Sequence, residues 1–429
     1  MAFLTDIYVM KTFFWIFTYL ALVHVPVIPI VRGDHIGAFD LVCIAAAVVL
    51  FKLGISRVIN GIPGDFLKFS VVAFALFALF QVFHYFVTYS NQDVWGDLFS
   101  IGIAVKQLQL LLIFIFCLYV IFTRWGVAAG FHWMLSFYVL TMFSVGIWKL
   151  FVVGDWHRLG LPMKEGVSSN PAGLVLCACI VLMTYRHLGI KSHSRSEKLI
   201  FALMLLIAFV SLFLTDSKTN GVLLLVLYPF VILGRAVFNR AKLVGYLVLF
   251  VVAILCVQYI ASFSGNRFSQ IRPFWEYVIN PSSVGNMSTI QARQDAWGLN
   301  LAKADLSTFR GTFWGEGSRA VTSTDNTYLR LLVNNGILAV LLFVAIYLPI
   351  VFWGNQAARV LAVFILLNGI LMDTALVSFR TMQVFFPLLA YGLALPRILD
   401  TENQIREQRR WHLRNRVPVS ALAPCRRIA

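Results

Sequence analysis

Six cations lie in the polar stretches between long apolar runs or at the start of one: Arg158, Lys164, Lys218, Arg293, Arg319 and Arg330. They accompany three expected helix starts, after residues 169, 221 and 325. Ser169 or Asn170 caps the first, with Pro171 in its opening turn. The turn Thr215-Asp-Ser-Lys218-Thr-Asn-Gly221 precedes the second, and Thr322-Ser-Thr-Asp325-Asn-Thr-Tyr328-Leu-Arg330 opens the third. A helix N-terminus presents unpaired N–H groups and the positive end of the helix dipole, so cations beside such starts favour an anion. Capping alone accounts for the Ser, Thr, Asp and Asn residues. It does not account for the cations.

A fourth start falls at Ser288, where Ser288 and Gln291 have the spacing of a capping box. On this short helix Ile290, Trp297, Leu301 and Ala304 recur at helical spacing, and Arg293 shares their stripe. Two readings stay open. The helix lies on a membrane surface with Arg293 snorkelling beside Trp297, or it turns Arg293 toward a ligand.

The elements that must position these residues are membrane helices. Of 429 residues, 60% are hydrophobic, 38 are Phe and only 13% are charged, a balance foreign to a water-soluble domain of this length. Crossing about 30 Å of hydrocarbon takes about 20 helical residues. Apolar runs of about that length cover 12–31, 37–54, 66–89, 101–123, 131–152, 169–187, 199–215, 221–235, 243–262, 325–353, 357–375 and 380–399. The expected fold is an all-α polytopic membrane protein: one transmembrane domain of about 12 helices over 1–399, containing a large extracytoplasmic loop at 263–324, then a basic cytoplasmic tail at 400–429. The first run lacks a small-residue cleavage pattern and reads as a span, not a removable signal. The run at 325–353 would be about 43 Å long, so its first turns are expected outside the bilayer, with Asn334-Asn335-Gly336 marking where it enters.

Lys and Arg concentrate in one set of alternate connections and in the tail, which makes those segments and both termini cytoplasmic. The net charge of +16 is thus largely a topology signal. The tail lacks aromatic interleaving or a nucleic-acid motif, so anionic membrane lipids, not nucleic acid, are its expected contact. Charges inside spans are costly and mark function; Asp40, Lys106, Lys149 and Asp373 all fall toward the extracytoplasmic ends of their helices. A transporter would instead place polar groups near the midplane between repeats. Cys43, Cys117, Cys177, Cys179 and Cys256 fall inside spans and Cys425 in the tail, so neither disulfides nor a cysteine metal site are expected. With no Walker motif, H-E-x-x-H, G-x-S-x-G or D-x-D pair, the expected chemistry uses no cofactor, ATP or metal.

Several stretches together resemble one family. They are Arg158 followed by Asn170-Pro171, the Thr-x-Ser-(Arg or Lys)-x-x-Gly pattern at Thr215 to Gly221, and the Arg-x-x-x-Trp pattern at Arg293 to Trp297. Trp314-Gly-Glu-Gly317 and Asp325-Asn-x-Tyr-Leu329 followed by Asn335-Gly336 complete the set. In order and placement, from about Arg158 to Tyr391, they look like the O-antigen polymerase and O-antigen ligase superfamily. The resemblance implies a C-type glycosyltransferase fold in the bacterial inner membrane, acting at the periplasmic face on undecaprenyl-diphosphate-linked oligosaccharides without metal or nucleotide sugar. Asp325-Asn326 stands where ligases typically carry His, which favours the polymerase branch. Lys218 stands where the family's outer turn usually carries Arg, and is a less directional phosphate partner.

The resemblance further implies that Arg158, Lys218, Arg293, Arg319 and Arg330 hold the pyrophosphate leaving group, with Tyr328 and Trp297 beside the substrate. Asp325 is the expected base or acceptor orienter, and Glu316 the competing carboxylate. Aromatic residues of the loop (Phe263, Phe274, Trp275, Tyr277, Trp297, Trp314) suit either sugar faces or an interfacial belt. A chain-length regulator is an expected protein partner. Two rivals remain at this point: a ligase delivering the same glycan to lipid A-core, and a lipid-linked oligosaccharide flippase or other transporter.

Overall fold

The computed structural model describes residues 2–23, 26–29, 35–88, 98–148, 169–191, 193–215, 217–236, 248, 252, 288–316, 326–371 and 379–414. In chain order the helices are α1 (Ala2–Leu22), α2 (Ala38–Leu53), α3 (Ile55–Gly61), α4 (Asp65–Thr88), α5 (Leu98–Thr123) and α6 (Trp125–Trp148). Next come α7 (Ser169–Gly189), α8 (Arg195–Leu214), α9 (Lys218–Ala236), α10 (Ser288–Leu301) and α11 (Phe309–Trp314). The last are α12 (Thr327–Trp353), α13 (Gln356–Leu371) and α14 (Phe379–Arg414). Two short strands, β1 (Pro26–Pro29) and β2 (His35–Gly37), pair antiparallel between α1 and α2.

Among the described residues, seven helices are long and apolar enough to cross a membrane: α4, the Val105–Thr123 part of α5, α6, Pro171–Gly189 of α7, α8, α12 and Thr381–Trp411 of α14. The number is eight if α2 and α3, bent by 94° across Gly54, form one broken span. Shorter apolar helices occupy three further expected runs, at Val9–Leu22, Thr219–Val231 and Gln356–Ile370. The run expected at 243–262 lies outside the described residues apart from 248 and 252. By length and composition the described helices therefore show fewer spans than twelve.

Burial separates the centre of the bundle from its rim. Along α7 every residue from Pro171 to Tyr185 is buried, as is every residue of α14 from Thr381 to Leu395. These two apolar helices pack on each other and on α5, α8 and α9. Rim helices instead carry an outward apolar stripe. On α4, Phe69, Val72, Leu76, Leu79, Phe83 and Phe86 are all exposed at alternating spacings of three and four, while Phe74, Phe77, Gln81 and His84 face inward. An apolar rim around an apolar core is the surface of a protein solvated by lipid.

Side-chain links join positions at matching ends of successive helices, which gives the bundle two ends. At the end carrying α10 and α11, Asn368 bonds Asn220 and Tyr328 bonds the Leu366 carbonyl. At the end where α14 emerges, Asn355 bonds the carbonyls of Gly392 and Leu393, Gln356 bonds the Phe230 carbonyl, and Arg186 grips Glu402.

Three expectations change. The first helix starts ten residues before the expected run, and the apolar stretch after Leu22 is strand, because Pro26 and Pro29 cannot continue a helix. The tail is not a separate segment from residue 400, since α14 continues unbroken to Arg414. Its polar turns dock on the α7–α8 connection. Glu402 takes both Arg186 (2.9 and 3.0 Å) and Arg406 (3.1 Å), Arg406 also forks onto Glu197 (2.7 and 3.1 Å), and Asn403 bonds Lys191 and Gly189 backbone atoms.

Two of the four span charges also find each other. Asp40 accepts from Lys106 Nζ and from Gln109 Nε2 (2.8 Å) on α5, and its other oxygen takes the Gly37 N–H at 2.9 Å. Their first role is to neutralise one another between α2 and α5; Lys149 and Asp373 lie outside the described residues. Lys106→Met is expected to leave a part-buried carboxylate unpaired at a cost of about 3 kcal/mol, while Lys106→Met with Asp40→Asn recovers most of it. Melting temperatures in detergent decide this: equal losses in the single and double variants would show that the pair is not coupled.

Candidate functional site

At the end of the bundle that carries α10 and α11, three helix starts converge on the last turn of α13. The α7 start packs directly on α9: a side chain at Gly173 would meet Ser217 Cβ and Asn220 Nδ2 at 2.8 Å, so only glycine permits this approach. From Ser217 a buried hydrogen-bond line runs into the bundle. Asn220 Nδ2 donates to Ser217 Oγ (2.8 Å), Asn368 Nδ2 on α13 donates to Asn220 Oδ1 (2.8 Å), and Cys177 on α7 reaches the Asn220 carbonyl (3.5 Å). The α12 start closes the group. One residue beyond Asn368, Gly369 abuts Thr327 and Tyr328, and the Tyr328 hydroxyl donates to Leu366 O at 2.8 Å.

The second half of the site is a backbone interlock between the loop and α12. Gly336 interrupts α12 with φ 74°, ψ 178°, and Gly315, just after α11, has φ 77°, ψ 179°. Both sit in a region open only to glycine. They pack against one another's strand of chain: a Cβ on Gly336 would lie 2.1 Å from Phe313 O, and one on Gly315 would lie 2.6 Å from Asn335 N and Gly336 N. The Glu316 N–H donates to Val333 O at 2.8 Å, a carbonyl that an unbroken helix would give to residue 337.

A third helix clamps this joint. On α4, His84 Nε2 donates to Trp314 O (2.7 Å) and His84 Nδ1 accepts from Asn335 Nδ2 (3.1 Å). Since a carbonyl oxygen can only accept, the Trp314 contact puts the proton on Nε2 and frees Nδ1 to accept. The Trp314 ring rests edge-on against Phe80 and Phe83, with centroids 5.5 and 5.8 Å away, and lies 5.0 Å from the His84 ring. Positions 80, 83 and 84 share one face of α4, and that face holds the indole. Trp314 is therefore committed to packing, and its ring is not a free platform for a sugar.

The sequence-derived candidates fall as follows. Glu316 is exposed next to the interlock, its Oε1 accepting the Asp305 N–H at 3.1 Å. Asp305 is itself held below the usual carboxylate range by the hydroxyls of Ser307 and Thr308. Tyr328 is a joint between α12 and α13, with Phe343 edge-on at 5.9 Å, and not an open substrate contact. Arg330 is buried within α12. Trp297 is half-buried on α10, with no hydrogen-bond partner for its indole nitrogen among the described residues.

α10 begins at Ser288 as expected and ends at Leu301, so Ala304 is not part of it. Leu301 is exposed and Asn300 is the buried residue, so the inward face carries 297 and 300. Position 293 lies on that face, one turn before Trp297. Lys218 is the first residue of α9, three residues before the expected start. For Lys218 and Arg293 only the backbone is described, and Arg158, Arg319 and Asp325 lie outside the described residues, as do Phe263, Phe274, Trp275 and Tyr277. The cap of α12 is Asn326, whose side chain accepts the Leu329 N–H at 2.9 Å.

Sequence reasoning missed His84 and Asn368. Each is an uncharged polar residue buried inside an apolar run, and burying such a group requires a partner. That signal was readable in both.

No family model matches the chain, and no curated protein matches it.

Proposed function

We propose that the protein is a metal-independent glycosyltransferase of the O-antigen polymerase kind. It joins undecaprenyl-diphosphate-linked repeat units at the end of the bundle that carries α10 and α11. The observation that carries this reading is the meeting of separate polar motifs at one end: Gly173 and Ser217 to Asn220, Asn368 to Tyr328, and Trp314 to Glu316 with Asn334 to Gly336. Stretches with no part in a common site would have no reason to be distributed this way along the chain and yet gathered at one end.

In this reading the acceptor sugar hydroxyl attacks the anomeric carbon of the donor chain. The bond from that carbon to the pyrophosphate oxygen breaks, and undecaprenyl diphosphate leaves with the electron pair. The hydroxyl proton passes to Asp325, with Glu316 as the competing base. Arg158, Arg293, Arg319 and Arg330, with Lys218, neutralise the pyrophosphate, aided by the N-termini of α7, α9 and α12. The matching topology is twelve spans in a bacterial inner membrane with both termini cytoplasmic and the 263–324 loop periplasmic. Arg409 and Arg410, exposed on the polar turns of α14, then meet anionic lipid headgroups, and a chain-length regulator contacts the complex within the membrane.

A gel of surface polysaccharide from a deletion strain tests the reading. A polymerase defect leaves core bearing a single repeat; bare core would point to a ligase, and untranslocated lipid-linked units to a flippase. Orientation has its own check. A cysteine at Ser283 is expected to react with an impermeant thiol reagent added to the periplasm, and one at Ser194, exposed ahead of α8, is not. The reverse pattern would overturn the topology.

A further inference from the structure

We infer that His84 is a positioning residue for the transfer reaction: it clamps the Trp314–Glu316 turn onto the break in α12 and thereby fixes the place of Glu316. The inference rests on the function proposed above, but its geometry does not. Glu316 is tied to Val333 by its N–H, and Asn326, at the far side of the 317–325 segment, caps the same helix. Seven residues of helix separate Asn326 from Val333, about 10 Å at 1.5 Å per residue. Glu316 stands at the other anchor. Whatever holds that anchor sets the position of Glu316.

The anchor is held in three ways. Two are intrinsic to the turn and α12: the close packing of Gly315 on Gly336 and the Glu316–Val333 bond. The third comes from outside: His84 on α4 bonds both partners at once, donating to Trp314 O and accepting from Asn335. Its exposure is 1%, so water does not replace these bonds without the turn moving. A phenylalanine would keep the ring packing on Trp314 yet leave Trp314 O and the Asn335 amide unpaired. A glutamine would place an N–H donor near the Nε2 position and restore the Trp314 bond.

The test uses full-length protein in nanodiscs with lipid-linked repeat units as substrate, comparing wild type, His84→Phe and His84→Gln. Two readouts are taken: kcat and KM for polymer formation, and the rate of tryptic cleavage after Arg310, an exposed residue on α11. With two hydrogen bonds lost at about 0.5–1.5 kcal/mol each, His84→Phe is expected to open the turn and raise Arg310 cleavage about tenfold. It is expected to lower kcat by a similar factor with KM unchanged, and His84→Gln is expected to recover most of both. Wild-type kcat in His84→Phe overturns the inference, whether or not cleavage changes. Should His84→Phe fail to accumulate, Asn335→Ala, which removes the amide that bonds His84 Nδ1, is read by the same kcat-against-KM split, and wild-type kcat and KM in it sink the idea. If the wild-type protein makes no polymer, the proposed function fails by itself; cleavage at Arg310 then judges the clamp, raised in His84→Phe if it exists and unchanged if it does not.

Discussion

Gly336→Ala is expected to abolish polymer formation, by more than about a hundredfold, while Gly126→Ala leaves it unchanged. At Gly336 two costs add. The backbone values of φ 74° and ψ 178° belong to a region that residues with a Cβ reach at about 1–3 kcal/mol. The added methyl would also sit 2.1 Å from Phe313 O and 2.6 Å from Trp314 N, both backbone atoms that cannot rotate away as a flexible side chain can. The turn must lift off α12, and with it go the Glu316–Val333 bond and the His84 contact to Trp314 O. Gly126, in the first turn of α6 at the opposite end, has nothing within 4 Å of its would-be Cβ, so alanine there tests only the general tolerance of the bundle. Polymer formed per unit time, normalised to membrane-inserted protein, is the measurement. Near-wild-type activity in Gly336→Ala would mean that the interlock is irrelevant to the reaction.

The interlock also shows what could be read from the chain and what could not. Asn334-Asn335-Gly336 reads as a helix interruption, and Trp314-Gly-Glu-Gly317 reads as a motif, yet nothing in either stretch says that the two are each other's partners. That pairing is a long-range backbone fit, carried by the absence of two side chains. Local signals fared better where they were sufficient: the Ser-x-x-Gln spacing gave the start of α10 at Ser288, and Pro171 gave the opening turn of α7.

Local signals misled where tertiary bonds override them. Thr219-Asn220-Gly221 has turn composition, so the α9 start reads as falling after Gly221. In the fold Asn220 is helical because Ser217 and Asn368 satisfy its amide. The end of α14 differs from the hydropathy reading for the opposite reason. Hydropathy stops near residue 399, but helix-forming Glu, Gln and Arg continue the helix, and ion pairs to Arg186 and Glu197 hold it down. His84 and Asn368 escaped notice because a search for charge inside spans passes over neutral polar groups, although burial obliges these groups to find partners too.

The last expected result concerns Asp325, whose two readings at the sequence level were helix cap and proton acceptor. A cap only accepts an N–H bond, and asparagine or serine does that nearly as well. In the fold the cap of α12 is Asn326, through its bond to the Leu329 N–H, so the helix start does not depend on Asp325 for this service. What distinguishes an aspartate from its neighbour is the ability to take up a proton, which an amide lacks. Asp325→Asn is therefore expected to leave the melting temperature within a degree or two of wild type and to lower the rate of polymerisation by about 10²–10⁴. Asp325→Ser should lose as much, and Asp325→Glu should regain part. Purified protein supplied with lipid-linked repeat units reads all four rates under identical conditions. Near-normal rates in the Asn and Ser variants would move the base to Glu316, the exposed carboxylate anchored at Val333, where Glu316→Gln must then carry the loss.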